Sequence, residues 1–499
     1  MPKTTPVGKG SAEMAVWWAI DTRPRLPIAF WPIHLHRQRS RGMGQTLIRD
    51  AIVVTTDAAG TILRGHDVLV RDGLIATIEP HRAERPVVDG VEVIDASGAI
   101  LMPGLIDTHV HMWEHPWRRA CIRPTAPGYF SHLDGFRDLY TPQDTHDGIL
   151  GSALEMLDHG VTGAVDFFHG ANATAAHVDA GLAAHLASGQ RVLMGYGANA
   201  SYDRDHGDLD RARAQRLRDL PRLRDVASAS GGRVSIALAM PTPNAGMLPR
   251  VIEEVAVARD LGMRMMVHQN GANEVRRLHE SDLLGDDLLL VHSNPISDEE
   301  LEIVADKGVV ISTTPQAELT EIVSLSIVRR AVRRGVRLGV GTDTPPIVAP
   351  MEMFTALRLT HLMSMLEDHR VLRDERRLPR DHVRDAETLD IDGALRLGTV
   401  GGAHAFGLGD RLGEIAVGAL ADLVIVLPRD PAALDDPAAH LMTSPLVPAE
   451  VRDVIVDGRV VKRDGVLQVA EAVGRRERDA AVRARVLGFA EEARRLGRS

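Results

Sequence analysis

Five polar side chains stand at the ends of short apolar segments, in positions suited to binding a metal ion. They are His109, His111, His268, His292 and Asp343. Residues two apart on a strand point to the same side, so His109 and His111 are expected to face the same way. Two neutral imidazoles at that spacing chelate one ion, and a third imidazole with a carboxylate completes a site for zinc or ferrous iron. Such a site predicts hydrolysis by an activated water.

The elements that must position these residues are visible in the middle of the chain, where apolar segments alternate with amphipathic ones. The apolar segments are ILMPGLIDTHVH, VTGAVDFFH, RVLMGYG, RVSIALAM, RMMVHQ, LLLVHSN, GVVISTTP and RLGVGTD. Eight βα units predict a (β/α)8 TIM-type barrel, whose catalytic residues lie at the carboxyl ends of the strands. A doubly wound sheet is the alternative, but no glycine-rich phosphate loop follows any segment.

Strand-like segments with Asp-Gly turns occur near both ends of the chain. We expect residues 45–100 and 396–470 to form one composite β-sandwich domain. The metal-dependent barrel, residues 101–395, is then inserted between its two halves. The tail at 471–499, rich in Arg, Glu and Ala, predicts a C-terminal helix.

Composition excludes several classes of function. The net charge of −10, without a basic patch, argues against nucleic-acid and membrane partners. The only cysteine, Cys121, cannot form an internal disulfide, so we expect a cytoplasmic protein. Residues 1–44 lack periodicity and are interpreted as a disordered extension. The expected partners are a small-molecule substrate and a second copy of the chain, as a homodimer.

The motifs resemble those of a known superfamily. PGLIDTHVH resembles the PGLIDxHxH signature of the amidohydrolases, and VHQN, VHSN and GVGTDT are similar to their later metal-binding and catalytic strands. The resemblance covers residues 46–470 and is closest to the branch of cytosine deaminase, the S-adenosylhomocysteine and methylthioadenosine deaminases, and the triazine hydrolases.

This resemblance implies a ligand set and a metal count. His109, His111, His268 and Asp343 would bind the metal, and His292 would hydrogen-bond the water or the substrate. Binuclear members carry a carboxylated lysine on the fourth strand, where RVSIALAM has none. The implied cofactor is therefore one divalent ion, with zinc expected and iron(II) as the alternative.

The proton that must reach the leaving nitrogen has no obvious donor. The deaminase branch usually has a Glu three residues after His268, but this chain has Gly271. Three routes stay open: Glu318 at the end of the seventh strand, Glu274 after the fifth, or Asp343 returning the proton that it takes as general base. We prefer Glu318, because strand ends face the pocket.

Two further side chains are candidates for substrate binding. Trp113 follows the first-strand histidines, and His169 follows the second strand, although packed core positions explain both equally simply. The stretch from Met112 to Thr141 lacks a clear helical pattern and is predicted to be a lid.

Three functions compete on this evidence. The first is hydrolytic deamination of an aminoheterocycle by metal-activated water. The second is hydrolysis of an amide or cyclic amide at the same site, which the missing Glu favours. The third is a catalytically inactive barrel used as a binding or scaffold protein, which the presence of all four ligands disfavours.

Overall fold

The computed structural model describes residues 44–84, 86, 89–122, 129, 137–170, 174–197, 209–322, 326–377, 388–444 and 446–495. The predicted N-terminal extension lies outside the described residues except for Gly44. Much of the predicted lid, residues 123–128 and 130–136, also lies outside them. Within the described part of the chain, no helix has the length and apolar character needed to cross a membrane.

The strands divide in space into a barrel and an outer sheet. In chain order they are β1 (Gln45–Val54), β2 (Ile62–Arg71), β3 (Leu74–Pro80), β4 (Val91–Asp95), β5 (Ile100–Pro103), β6 (Leu105–Val110), β7 (Val161–Phe168), β8 (Arg191–Tyr196), β9 (Val234–Ala239), β10 (Met265–Gln269), β11 (Leu288–His292), β12 (Val310–Thr313), β13 (Arg337–Val340), β14 (Leu423–Val426), β15 (Val451–Val456), β16 (Arg459–Arg463) and β17 (Val466–Leu467).

Strands β6 to β13 form the barrel. Each pairs in parallel with its neighbours in sequence order. A parallel bridge between Val110 and Asp343 joins the end of the last unit to the first strand. Every residue of β7 and β8 is buried, as expected of strands covered on both faces. All eight predicted segments contribute a strand, which confirms the (β/α)8 prediction.

Helices alternate with the barrel strands, and side-chain caps fix where two of them begin. The Thr141 hydroxyl accepts a hydrogen bond from Asp144 N, and the Ser297 hydroxyl accepts one from Glu300 N, each in a reciprocal capping box. The described α-helices of five residues or more are α1 (Pro142–Asp158), α2 (Ala175–Ser188), α3 (Leu209–Ser228), α4 (Leu248–Asp260), α5 (Glu274–Glu280), α6 (Asp298–Asp306), α7 (Val328–Val332), α8 (Met353–Asp374), α9 (Ile391–Leu397), α10 (Val400–Ala405), α11 (Pro437–Thr443) and α12 (Arg475–Arg495).

The outer sheet is built from both ends of the chain, as predicted. Its strand order is β17-β16-β15-β14-β5-β1-β2-β3, with β4 paired to β1. Asp72, Asp457 and Asp464 adopt positive φ values of 52°, 52° and 48° immediately before glycines, as tight hairpin turns require. Because β1 pairs with β2, β4 and β5, the strands of the predicted sandwich are hydrogen-bonded into one continuous sheet. Their buried side chains form an apolar core of their own.

Buried charges attach the outer sheet to the barrel. The Arg191 guanidinium, at the start of β8, donates to both oxygens of Asp422 at 2.6 and 2.9 Å. Lys462 on β16 is fully buried and donates from Nζ to the Asp158 and Pro448 carbonyls. Because Arg191 lies at the amino end of its strand, this ion pair is at the opposite end of the barrel from the predicted site. The domain boundaries given above stay a prediction.

Candidate metal centre

The five side chains singled out from the sequence meet at the carboxyl end of the barrel. His109 lies near the end of β6 and His111 just beyond it, His268 is on β10, and His292 is the last residue of β11. Asp343 follows β13 by three residues. The donor atoms of two overlapping groups lie within 4.8 Å of one another: His109 with His111 and His268, and His109 with His292 and Asp343.

The separations between these donor atoms fit one tetrahedral ion. Zinc–nitrogen bonds of about 2.0–2.1 Å place two tetrahedral ligands about 3.3–3.4 Å apart. The Nε2 atoms of His109 and His268 are 3.3 Å apart. Asp343 Oδ1 lies 3.2 Å from His109 Nε2 and 3.5 Å from His111 Nε2. The residues present therefore suit a single divalent ion bound by three imidazoles and a carboxylate.

The electrostatics of the cluster also match what a metal needs from its ligands. Burial lowers the pKa of His109 to about 3. It also lowers the pKa values of His111 and His268. Burial alone would raise the pKa of Asp343, but the hydrogen bond with His109 and the electrostatic effect of His109, His292 and His111 together outweigh it, and that pKa lies below its usual value. Neutral imidazoles and an ionised carboxylate are the ligand forms that bind zinc without first losing a proton.

The junction of the first and last barrel units holds three of the four predicted ligands, and we call it the seam: His109, His111 and Asp343. Backbone hydrogen bonds of 2.8 Å run from Asp343 N to His109 O and from His111 N to Asp343 O. Asp343 has a φ of 67°, a left-handed conformation that is costly for a residue other than glycine. A Cβ at Gly341 would lie 2.6 Å from the His109 carbonyl oxygen, so only glycine allows this close approach.

A buried carboxyl group, Asp107, fastens the seam from inside. Its oxygens accept hydrogen bonds from the His109 and Thr342 backbone N–H groups at 3.0 and 3.2 Å, and from the Thr342 hydroxyl at 2.6 Å. Burial raises the pKa of Asp107 to about 7. Asp107 is not among the residues predicted from the sequence. The signal was there, since 107, 109 and 111 share one face of the strand and Asp is costly to bury.

A single aromatic residue, Phe167, contacts two of the predicted ligands. The Phe167 carbonyl oxygen lies 2.8 Å from His111 Nδ1, which directs His111 Nε2 towards the centre. The Phe167 ring packs against His268, with centroids 4.1 Å apart. His169, two residues later, stacks on the His111 ring at 4.4 Å. The structure thus places His169 beside the cluster, and its role in substrate binding stays a prediction.

Trp113 lies deeper than His169. Its side chain is fully buried and packs against the Tyr140 and Trp117 rings, with centroids 5.2 and 6.1 Å away. Its ring lies 6.4 Å from that of His169. Trp113 therefore packs behind His169, and a direct contact between Trp113 and substrate stays a prediction.

One ring nitrogen of His292 faces the cluster, and the other faces a hydrogen-bonded network. Its Nε2 lies 4.0 Å from Asp343 Oδ2. Its Nδ1 lies 2.9 Å from the Thr314 hydroxyl and 3.8 Å from Glu318 Oε1. The backbone of His292 has a φ of 68°, so this side chain is also held in an uncommon conformation.

Neither glutamate considered as a proton donor joins the cluster. Glu318 is fully buried behind His292, with Oε1 accepting from Thr314 N at 2.7 Å and Oε2 from the Thr313 hydroxyl at 3.0 Å. Glu274 Oε2 accepts from the backbone N–H groups of Asn270 and Gly271. The expectation that Glu318 faces the pocket because it follows a strand is not what the structure shows. The chain turns after β12 and points this side chain at the back of His292.

Another buried acid lies beside the seam. Glu114 is fully buried and accepts hydrogen bonds from the hydroxyl groups of Thr344 and Tyr129, at 2.5 and 2.8 Å. Burial raises the pKa of Glu114 well above its usual value. Glu114 lies in a short 3-10 helix, Met112–Trp117, at the start of the stretch predicted as a lid, and its three-residue offset from His111 gave no sequence signal because the stretch lacks a clear helical pattern.

The chain is similar in sequence to known proteins. The model of the amidohydrolase family matches residues 100–461, which include all five residues of the cluster. A 5'-deoxyadenosine deaminase from Methanosarcina mazei is 27% identical over 439 residues, covering 85% of this chain and 94% of the relative. A 5-methylthioadenosine/S-adenosylhomocysteine deaminase from Desulforudis audaxviator is 28% identical over 456 residues, covering 86% of this chain and 98% of the relative.

Solved structures share the fold. An adenosine deaminase from Xanthomonas campestris with bound zinc superposes with a TM-score of 0.69 at 24% identity, covering 89% of this chain and 98% of that one. An atrazine chlorohydrolase from Arthrobacter aurescens in complex with zinc superposes with a TM-score of 0.73 at 23% identity, covering 88% of this chain and all of that one, 100%. At these identities the likeness extends to the fold alone.

Proposed function

The chain belongs to the amidohydrolase family, and we propose that it hydrolyses the exocyclic C–N bond of an aminoheterocycle, releasing ammonia. The single observation that carries this proposal is the cluster of three neutral imidazoles and one ionised carboxylate. Its separations fit one tetrahedral ion. We propose zinc, bound by His109, His111, His268 and Asp343. A divalent ion in this position supplies Lewis acidity, which allows water to attack near neutral pH.

The protein's own groups divide the remaining work. Asp343 Oδ1 lies among the imidazole nitrogens, whereas Oδ2 points towards His292 Nε2, 4.0 Å away. Asp343 is therefore placed to take a proton from the attacking water and to return it to the leaving nitrogen. His292 is placed to hydrogen-bond the water or the substituent that changes at the reacting carbon. This route needs no glutamate at position 271.

The substrate class is proposed from the named relatives. Two of them are deaminases of 5'-deoxyadenosine and of 5-methylthioadenosine or S-adenosylhomocysteine. These compounds share an adenine base linked to a ribose, and we propose a purine nucleoside of this type for the present chain. His268 and His169 are the partly exposed members of the site, so we place the entrance for the base beside them.

Hydrolysis of an amide or cyclic amide is the second candidate. The observation that favours it is the absence of the usual Glu, with Glu274 committed to the backbone N–H groups of residues 270 and 271. An amide and an aminoheterocycle present the same attack geometry to the site but differ in the leaving group. Only a substrate test separates the two functions.

The experiment begins with metal content, measured by elemental analysis of protein purified without added metal. We expect about one zinc per chain. The loaded protein is then assayed for ammonia release from 5'-deoxyadenosine, 5-methylthioadenosine, S-adenosylhomocysteine and an amino-triazine, and for ring opening of cyclic amides. Turnover of the amides alone would replace deamination with the second candidate. Absence of both metal and turnover after reconstitution would favour the inactive scaffold.

Two further proposals concern the whole protein. We propose that it acts as a homodimer, supported by the exposed apolar residues Leu362 and Leu366 one turn apart on α8. Light scattering after size-exclusion chromatography measures the mass in solution, and a monomeric mass contradicts this proposal. A cytoplasmic location is proposed from the single cysteine, Cys121, and fractionation of the native host tests it.

A further inference from the structure

A chain of polar groups runs from the reaction centre into the core through His292. The first link joins His292 Nδ1 to the Thr314 hydroxyl at 2.9 Å. The second joins that hydroxyl to Glu318 Oε1 at 3.5 Å, and the same oxygen lies 3.8 Å from His292 Nδ1. Thr314 and Glu318 are both fully buried, so no solvent intervenes to exchange these partners.

The chemistry of the three groups fixes the direction of the hydrogen bonds. A carboxylate can only accept, whereas a threonine hydroxyl both donates and accepts. If the Thr314 hydrogen pointed at His292, the hydroxyl lone pairs would face the Glu318 carboxylate and be repelled by it. The favoured arrangement therefore has Thr314 donating to Glu318 and accepting from Nδ1–H of His292. The proton of the neutral imidazole then lies on Nδ1, and Nε2 keeps its lone pair.

Hydrogen bonds hold both carboxylate oxygens of Glu318 in place. Its Oε1 accepts from Thr314 N at 2.7 Å and its Oε2 from the Thr313 hydroxyl at 3.0 Å. The His292 ring lies between this carboxylate and the metal ligands. The carboxylate thus reaches the reaction centre only through Thr314 and His292.

We infer that Glu318 is a positioning residue, which acts through Thr314 to hold the His292 proton on Nδ1 and so presents the Nε2 lone pair to the reaction centre. The inference rests on the proposed function, in which His292 hydrogen-bonds the attacking water or the substrate. It assigns a role to Thr314, which the sequence did not single out. It also replaces direct proton donation by Glu318.

The test compares four variants of the zinc-loaded full chain. Thr314→Val removes the hydroxyl at nearly constant shape, whereas Thr314→Ser keeps it. Glu318→Gln removes the charge, and Glu300→Gln is the matched control. Glu300 is another buried acid whose two oxygens each accept one backbone N–H, from Arg276 and Ser297 at 3.0 Å. Among the described residues it makes no hydrogen bond or ion pair with the five side chains of the cluster.

We expect Thr314→Val and Glu318→Gln to lower kcat about 10- to 100-fold, the usual cost of losing such an orienting partner. KM and metal content should stay unchanged. Thr314→Ser should keep most of the activity, and Glu300→Gln should match wild type in kcat. Activity is measured with whichever purine nucleoside of the ammonia-release panel the wild-type protein turns over.

A second readout needs no substrate. Long-range ¹H–¹⁵N spectra of ¹⁵N-histidine-labelled, zinc-loaded protein report which ring nitrogen carries the proton, and the His292→Gln variant identifies the signal. We expect protonation on Nδ1 in wild type and in Thr314→Ser, and a shift towards Nε2 in Thr314→Val and Glu318→Gln. Absence of turnover in wild type would therefore count against the proposed function, while these spectra still decide the role of Glu318.

Three results would overturn the inference. The first is a wild-type His292 protonated on Nε2. The second is Glu318→Gln and Thr314→Val variants whose kcat values equal that of Glu300→Gln. The third is a loss of activity in Glu318→Gln with full activity in Thr314→Val, because that pattern would mean that Glu318 reaches the substrate without the Thr314 hydroxyl.

Discussion

The seam and the wall opposite it, formed by the ends of β10 to β12, hold their functional side chains by different means. In the seam, two backbone hydrogen bonds of 2.8 Å tie the strand that carries His109 to the turn that carries Asp343. In the opposite wall, a side-chain hydrogen bond positions the functional residue, because the Thr314 hydroxyl contacts His292 Nδ1. The difference teaches that three of the four predicted metal ligands depend on barrel closure, whereas His292, the group proposed to contact the substrate, depends on a replaceable side chain.

The distribution of buried acids follows the same division. Asp107 and Glu114 lie beside the seam and accept hydrogen bonds from Thr342 and Thr344, the two residues that flank Asp343. In the opposite wall, Glu274 braces its own loop and Glu318 supports His292. We therefore expect changes in the seam to release the metal, and changes in the wall at residues other than His268 to slow the reaction with the metal in place.

The largest effect is expected for Asp343→Asn, which removes both a metal ligand and the proposed base. Its carboxylate contacts His109 and His111 at 3.2 and 3.5 Å. We expect kcat/KM to fall more than about 10³-fold, since loss of a positioned base alone costs about 10²–10⁴-fold. Elemental analysis after dialysis should find less zinc than in wild type. Full zinc content with full activity would remove Asp343 from the site.

His292→Asn tests the expectation that a change in the wall slows the reaction but leaves the metal bound. We expect kcat to fall about 10²-fold, with zinc content equal to that of wild type, because His292 Nε2 lies 4.0 Å from Asp343 and outside the set of four ligands. Elemental analysis and initial rates measured on the same preparation check this. If this variant loses zinc as Asp343→Asn does, His292 is a ligand and the division between seam and wall is wrong.

Asp107→Asn is expected to weaken the seam without removing a proposed metal ligand. The two carboxyl oxygens accept from different donors, Oδ1 from the His109 N–H and Oδ2 from the Thr342 hydroxyl, and the amide nitrogen that replaces one of them cannot accept the hydrogen bond donated there. We expect a loss of about 2 kcal/mol in the free energy of unfolding, typical of a buried donor left without a partner. Zinc affinity should fall about 10-fold. Urea unfolding and competition with a chelator measure the two effects, with Thr360→Val, a buried hydroxyl on α8, as the control.

How far the sequence predicts this molecule follows from what each element depends on. The eight strands and the ligands at their ends are predictable because burial and the alternation of strand side chains are local properties. Asp107 shares that alternation and was available in principle. The direction of Glu318 was not, because it depends on how the chain turns after β12. The Thr344 hydroxyl that donates to Glu114 was equally hidden, since Thr344 is 230 residues away along the chain.

The smallest effect is expected for Glu274→Gln. Measuring it decides whether one or two glutamates of the wall contribute to the reaction. Glu274 Oε2 accepts from the backbone N–H groups of Asn270 and Gly271 at 3.1 and 2.9 Å, and the oxygen of a glutamine can accept both. We expect a loss of about 1 kcal/mol in stability, the usual worth of a charge in such hydrogen bonds, and kcat within about twofold of wild type. Thermal unfolding and initial rates at saturating substrate measure these quantities. A fall in kcat larger than that of Glu318→Gln, with zinc retained, would instead make Glu274 the proton donor that this chain lacks at position 271, because its carboxylate sits beside Gly271.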